Sequence, residues 1–279
     1  MDLIIHQHLG LGDMILCNGL IRHILNQKSK NEKILLICKD IHFNTVKFMY
    51  RDESRIKLLK ISSKNNENDE VQKYLIKNKF KKNDFLKIGH EFYQATSNLN
   101  LDKSNEWPCD VVFYKQLNVP FKYRFTKTFW KRDMKKEKFL FKKLVKNINN
   151  YVFIHDDINR NLKIDDSNIN KKFQIIRNNL KYKIFDYGLI LENAKELHLM
   201  ESSFRQVIET LNMKNKKLIL YKGRSGHHSI NLYNKTANQW IGTSKKWIIN
   251  KYNIETDGDE KRSFLFYWYK KLTTLFKYS

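Results

Sequence analysis

Leu3-Ile4-Ile5-His6-Gln7-His8-Leu9-Gly10-Leu11-Gly12-Asp13 opens the chain, an apolar run that breaks at a Gly-x-Gly-Asp turn and passes straight into a helical pattern. Cys17, Leu20, Ile21 and Ile24 recur at i, i+3, i+4 and i+7, one face of a helix, and Asp13 stands where an N-cap residue belongs. The stretch therefore predicts a strand, a ligand-approaching loop and a helix, the first βα unit of an α/β sheet. Two glycines let the backbone pass close to a ligand, and the N–H groups of a helix start favour an anion or a set of sugar hydroxyls.

The competing reading is the dinucleotide fingerprint G-x-G-x-x-G, which the chain half supplies. Gly10 and Gly12 are present, but Ile15 occupies the third glycine position, where close packing of helix on strand is required. Asp13 also sits where it would repel a pyrophosphate. Asp40, after the apolar run Ile34-Leu35-Leu36-Ile37, imitates the ribose-binding acid of such a site, yet a partial fingerprint is a weak signal.

The rhythm of strand and helix continues beyond this unit. Lys33 to Cys38, Arg55 to Ile61 and Asp84 to Ile88 read as strands, with helices at His42 to Tyr50 and Glu67 to Lys79 between them. Alternation of this kind predicts a parallel sheet. Glu91 to Pro120 breaks it: both prolines, Pro108 and Pro120, fall there among Ser, Asn and Asp clusters, so an irregular, ligand-facing insertion is expected. The pattern resumes at Tyr151-Val152-Phe153-Ile154, which puts a boundary near Asn147 to Asn150.

The length of 279 residues and 41% hydrophobic content suffice for one large or two smaller α/β domains. No run is long and apolar enough to span a bilayer, and the first residues lack a signal-peptide pattern, so a cytoplasmic protein is expected. Cys17, Cys38 and Cys109 are odd in number and widely spaced, which suggests neither a disulfide framework nor a zinc site. A net charge of +24, mostly from lysine, suits a solvated exterior or an anionic partner. Between Val111 and Lys146 twelve Lys or Arg face only Asp133 and Glu137, interleaved with aromatics such as Phe113, Tyr114, Phe129, Trp130 and Phe139. That mixture suits a membrane surface, an anionic glycan or a single-stranded nucleic acid.

Two strand ends in the second half carry polar chemistry. After the Tyr151 run come His155-Asp156-Asp157-Ile158-Asn159-Arg160-Asn161-Leu162-Lys163, in which Arg160 can clamp a diphosphate. The strand around His198 ends in Glu201-Ser202-Ser203-Phe204, followed by the helical spacing Phe204, Val207, Ile208, Leu211. The two serine hydroxyls suit a phosphate or an ordinary N-cap, and Glu201 can accept from a ribose or sugar. His198 itself reads as a packed core histidine.

The opening His8 to Arg22 segment resembles the start of GT-B glycosyltransferases of the heptosyltransferase-like kind. The Glu192 to Phe204 segment is similar to their donor-side strand and helix, with fucosyltransferase-like enzymes also matching in pattern. The resemblance implies two Rossmann-like α/β domains facing a cleft: an acceptor-side domain at residues 1–147 and a nucleotide-sugar-binding domain at 148–279. It implies a hexosyl-, heptosyl- or fucosyl-transferase acting in polysaccharide or lipopolysaccharide biosynthesis on a glycan or lipid-linked acceptor, working peripherally at a membrane and without metal or cofactor. Asp13 becomes the catalytic base, with His8, Gly10, Gly12 and Asn18 on the acceptor side. His155, Asp156, Arg160, Lys163, Glu201, Ser202, Ser203 and Phe204 fall on the donor side.

Asp257-Gly258-Asp259 spells a D-x-D metal motif but sits among charged residues and reads as a turn. Arg224, His227 and His228, after the strand Leu218 to Tyr221, read as a solvated loop. Two other classes remain: a basic nucleic-acid-binding protein, which explains the charge but brings no recognised motif, and an inactive carbohydrate-binding protein of the same fold.

Overall fold

The computed structural model describes residues 2–81, 84–89, 109–148, 150–213, 216–222, 232–234, 239–241 and 245–251. Its first half follows the predicted alternation closely. The elements are β1 (Leu3–Gln7), α1 (Leu11–Leu16), α2 (Asn18–Asn26), β2 (Ile34–Lys39), α3 (Asp40–Met49), β3 (Ile56–Ile61), α4 (Glu67–Lys77) and β4 (Phe85–Ile88). All four strands are parallel in the order β3-β2-β1-β4. β1 runs through the middle and is buried from Ile4 to Gln7, which is why it reads as an unbroken apolar run rather than an alternating one. The helix expected after Asp13 is two helices, because the chain breaks at Cys17.

Among the described residues three helices link the halves: α5 (Cys109–Lys115), α6 (Tyr123–Thr126) and α7 (Met134–Leu144). α5 corrects part of the expected irregular insertion. Its Val111, Val112, Phe113 and Tyr114 are all buried, so this end of the segment is a core helix, whereas residues 90–108 lie outside the described part. The basic aromatic segment is likewise no uniform surface: Phe113, Tyr114 and Trp130 are buried, and so are Arg124 and Glu137.

The second half contains β5 (Tyr151–His155), β6 (Gln174–Arg177), α8 (Gly188–Asn193), β7 (Glu196–Met200), α9 (Ser203–Ile208), β8 (Lys217–Lys222), a small antiparallel pair β9 (Leu232–Asn234) and β10 (Gln239–Ile241), and β11 (Ile248–Lys251). The larger sheet is parallel throughout, in the order β11-β8-β7-β5-β6. His198 on β7 is a satisfied interior histidine, with Nδ1 3.1 Å from the Tyr221 hydroxyl and Nε2 3.2 Å from Glu196. Cys17 and Cys38 are buried, and burial pushes the Cys38 thiol up to about 12. Cys109's side chain, residues 224–228 and the Asp257-Gly258-Asp259 triplet fall outside the described residues.

Apolar packing runs without a break from one sheet to the other. Phe48 of α3 stacks on Phe185 at 5.6 Å between ring centroids, and Trp130 meets the same ring at 4.9 Å. A polar tie also joins the two halves. Arg124 of α6 pairs with Asp110 of α5 at 2.7 Å, both side chains essentially sealed from water, and its other nitrogen donates to Gln206 of α9. α7 stands on the 1–147 side of the expected boundary but packs on elements beyond it: buried Glu137 pairs with Arg132 and accepts from the Leu189 N–H at 2.9 Å, and Arg132 reaches Glu192 at 2.8 Å.

Removing one partner of a buried ion pair leaves the other charge uncompensated, which costs about 3 to 5 kcal/mol. Arg205 lies close enough to repel Arg124 and attract Asp110, so its relief and partial substitution place the cost at the lower end. Arg124→Met should therefore lower stability by about 3 kcal/mol in urea unfolding. A loss below about 1 kcal/mol would show the pair to be no better than a surface one.

Candidate functional site

In open parallel sheets, ligands bind beyond the carboxyl ends of strands where the strand order reverses. The first sheet reverses between β1 and β4, and the loop there is His8 to Gly10. The second reverses between β5 and β7, where His155-Asp156-Asp157 and Glu201-Ser202 emerge. These two ends face each other across a cleft of about 750 Å³. His8, Gly10, Gly12 and Asp13 line one wall, and His155, Asp156, Glu201, Ser202, Ser203 and Phe204 line the other.

The N-cap of α1 is Gly10, not Asp13. Gly10 is extended (φ −67°, ψ 141°) and its carbonyl accepts from the Met14 N–H at 3.0 Å, which starts the helix without a side-chain cap. Asp13 occupies the third helical position, where a carboxylate still gains from the helix dipole. Its Oδ2 lies 4.0 Å from His8 Nδ1 and 3.0 Å from the place a Cβ on Gly10 would take. Gly12 has a different neighbour: a Cβ there would meet Ser203 Cα at 3.7 Å, an ordinary contact, where α1 approaches α9 across the two halves.

On the opposite wall Ser202 is the N-cap of α9, its Oγ accepting from the Phe204 N–H at 3.2 Å and lying 3.3 Å from His155 Nδ1. The His155 ring packs at 4.5 Å on Phe204. Burial lowers its pKa to about 4, against the opposing pull of Asp157 and Asp156. Asp156 is engaged in holding its own loop: it pairs with Arg177 at 2.6 Å and accepts from the Ile164 N–H at 2.8 Å.

Two expected contributors stand apart from the cleft wall, and a third is only partly described. Asn18 is fully buried, and its Oδ1 accepts from Arg22 Nε and the Phe129 N–H at 3.2 and 2.9 Å, so it fastens α2 to the chain after α6. Lys163 is exposed and does not line the cleft. Arg160 closes a 3-10 turn at Ile158–Arg160, and its side chain lies outside the described part.

Sequence reasoning missed a third wall. His42 and Thr45 come from α3, and Asn178, Asn179, Lys181 and Lys183 follow β6. The signal was present in Phe173-Gln174-Ile175-Ile176, a short apolar run before a polar stretch, the same grammar as the two strand ends that were read. Behind the cleft Arg205 is completely buried. Desolvation chiefly, then Arg124, pull its pKa down, opposed by Asp110, Glu209 and Glu201.

Two parallel sheets with crossover helices, meeting at their strand ends over one cleft, define the GT-B architecture. Solved structures share it along nearly the whole chain. The glycosyl transferase family 9 protein from Veillonella parvula superposes with a TM-score of 0.52 at 8% identity, over 95% of this chain and 90% of that one. The ADP-heptose lps heptosyltransferase II of E. coli gives 0.50 at 10% identity, over 92% of each. What is shared at these identities is the fold. No family model matches the sequence, and no curated protein does. Among the described residues no helix is long and apolar enough to cross a membrane.

Because the folded pKa of His155 lies below its unfolded value near 6.5, the unfolded chain takes the proton first. Stability therefore declines as pH falls from about 6.5 toward 4. In NMR titration the His155 ring should stay neutral down to about pH 5 and shift only near 4. A midpoint at the ordinary histidine value would mean that the ring is open to water.

Proposed function

We propose that the protein is a glycosyltransferase that moves a sugar from a nucleotide-sugar to a hydroxyl of a glycan or lipid-linked acceptor. The observation that carries this reading is the meeting of the two switch points: Asp13 on one wall and the His155, Ser202, Ser203 group on the other share a single cleft. A volume of about 750 Å³ accommodates a nucleotide-sugar. The fold shared with a heptosyltransferase and a family 9 glycosyltransferase supports the same reading.

In this mechanism Asp13 accepts the proton of the acceptor hydroxyl as its oxygen bonds to the sugar's anomeric carbon. The bond from that carbon to the diphosphate breaks, and a nucleoside diphosphate leaves. A base must lie within hydrogen-bond reach of the proton it takes, and Asp13, with a quarter of its side chain exposed, faces the cleft. The departing negative charge is met by Lys181, Lys183 and the serine hydroxyls, and so needs no metal. Neutral His155 offers a hydrogen bond without adding charge.

Asp13→Asn tests the base. Losing a first-turn carboxylate costs up to about 1 kcal/mol of stability, whereas losing a general base lowers turnover roughly a hundredfold or more. Nucleotide-sugar binding, read by thermal shift across ADP-, GDP-, UDP- and CMP-sugars, should hold. Normal transfer by a folded, donor-binding variant would return Asp13 to a purely structural role.

Gly10→Ala acts on the same carboxylate from outside. Alanine adopts the Gly10 backbone conformation readily, so the fold should keep its stability while the new methyl presses on Asp13 and turnover falls. Transfer should also persist in EDTA. Loss on chelation, restored by manganese, would bring Asp257 and Asp259 into the site.

A further inference from the structure

Burial sorts the basic aromatic segment into two parts. Phe113, Tyr114 and Trp130 are interior, which removes three of the nine aromatics of the row on which nucleobases would stack. What remains outside is concentrated on α7, which turns Glu137 and Leu140 inward. Lys135, Lys138, Phe139 and Lys142 recur at i, i+3, i+4 and i+7 on the exposed face. Phe139 is 62% exposed at the centre of that row.

Between Lys131 and Lys146 every lysine is exposed, and the two acids there offset little of that charge. Glu137 is buried against Arg132, and Asp133 caps the helix 3.7 Å from Lys136. The face also runs on toward the cleft. The Lys143 ammonium lies 5.8 Å from the Phe139 ring centroid and 5.7 Å from that of Tyr182, and Tyr182 lines the cleft beside exposed Leu180 and Lys181.

We propose that this ridge, from α7 across Lys143 to Tyr182 and Leu180, docks on an anionic lipid bilayer. Long lysine arms spread over a plane of negative headgroups while an exposed phenylalanine enters the boundary between headgroup and acyl chain. Under the glycosyltransferase reading, docking holds the cleft mouth against the surface in which a lipid-linked acceptor is anchored. The docking claim and the catalytic one are read by separate assays, so either fails without the other.

The experiment is co-sedimentation of the full chain with phosphatidylcholine vesicles, with and without phosphatidylglycerol. Binding should favour the anionic vesicles by about tenfold or more and fall steeply with salt. Combined Lys138→Glu, Lys142→Glu and Lys143→Glu should abolish that preference, and Phe139→Ser should weaken binding severalfold. Both variants should keep the wild-type melting temperature and nucleotide-sugar thermal shift. Reversing three exposed lysines elsewhere, Lys57, Lys73 and Lys77, changes net charge equally and should leave binding nearly intact. Equal losses from the two triple variants would overturn the proposal, since they would assign binding to overall charge. Absence of any anionic preference, or tighter binding to single-stranded nucleic acid at the same salt, would also overturn it.

Discussion

Asp110, Arg124 and Gln206 form a line of polar side chains sealed from water, and the geometry of the cleft depends on it. Charges taken out of water are tolerable only while they remain paired, so a shift that separates them finds no solvent to take the partner's place. The line therefore has one position. α5 uses it twice over: Asp110 holds Arg124, which reaches α9, and Tyr114 one turn further on donates its hydroxyl to the Leu16 carbonyl at the end of α1 at 2.8 Å. One linking helix thus fixes the two short helices whose first turns form the opposite lips of the cleft.

Those lips differ in electrical character. The β1 side presents a carboxylate and an imidazole, both in contact with water. The β5 side presents a buried, neutral imidazole bonded to a serine hydroxyl, flanked by an aspartate already committed to Arg177. Positive charge enters from the loop after β6, through Lys181 and Lys183. A water-exposed carboxylate, a buried neutral imidazole and two lysines thus come from three different chain segments, which the parallel topology brings to one place.

The parallel sheets were legible because central strands buried on both faces write themselves as apolar runs, as at Ile4-Ile5 and Tyr151 to Ile154. The strand ends were legible because polar residues follow those runs at once. β6 was less visible: its Gln174-Ile175-Ile176-Arg177 is a short edge strand with Ile175 exposed, so its apolar run is brief and interrupted by polar residues, a fainter signal for the wall after it. The purpose of Arg124 could not be read at all. Nothing local separates a buried arginine from the surface lysines around it, because its burial is decided by Asp110 and Gln206, far apart in sequence. Asn18 failed for a related reason: a polar residue one turn beyond the glycine loop reads as a ligand group, and only the tertiary packing shows that it faces Arg22 and Phe129 instead.

Gly12 leaves a gap one methyl wide at the contact between α1 and α9. With hydrogen in place of a side chain, the first turn of α1 stands off the start of α9 by the room that an added Cβ would fill, 3.7 Å from Ser203 Cα. An alanine just fits, and each further carbon has to be accommodated by levering the lips apart about that contact. The position is thus a graded spacer: a side-chain series there would dial the width of the cleft mouth in steps of about one carbon–carbon bond while leaving the residues that line it unchanged.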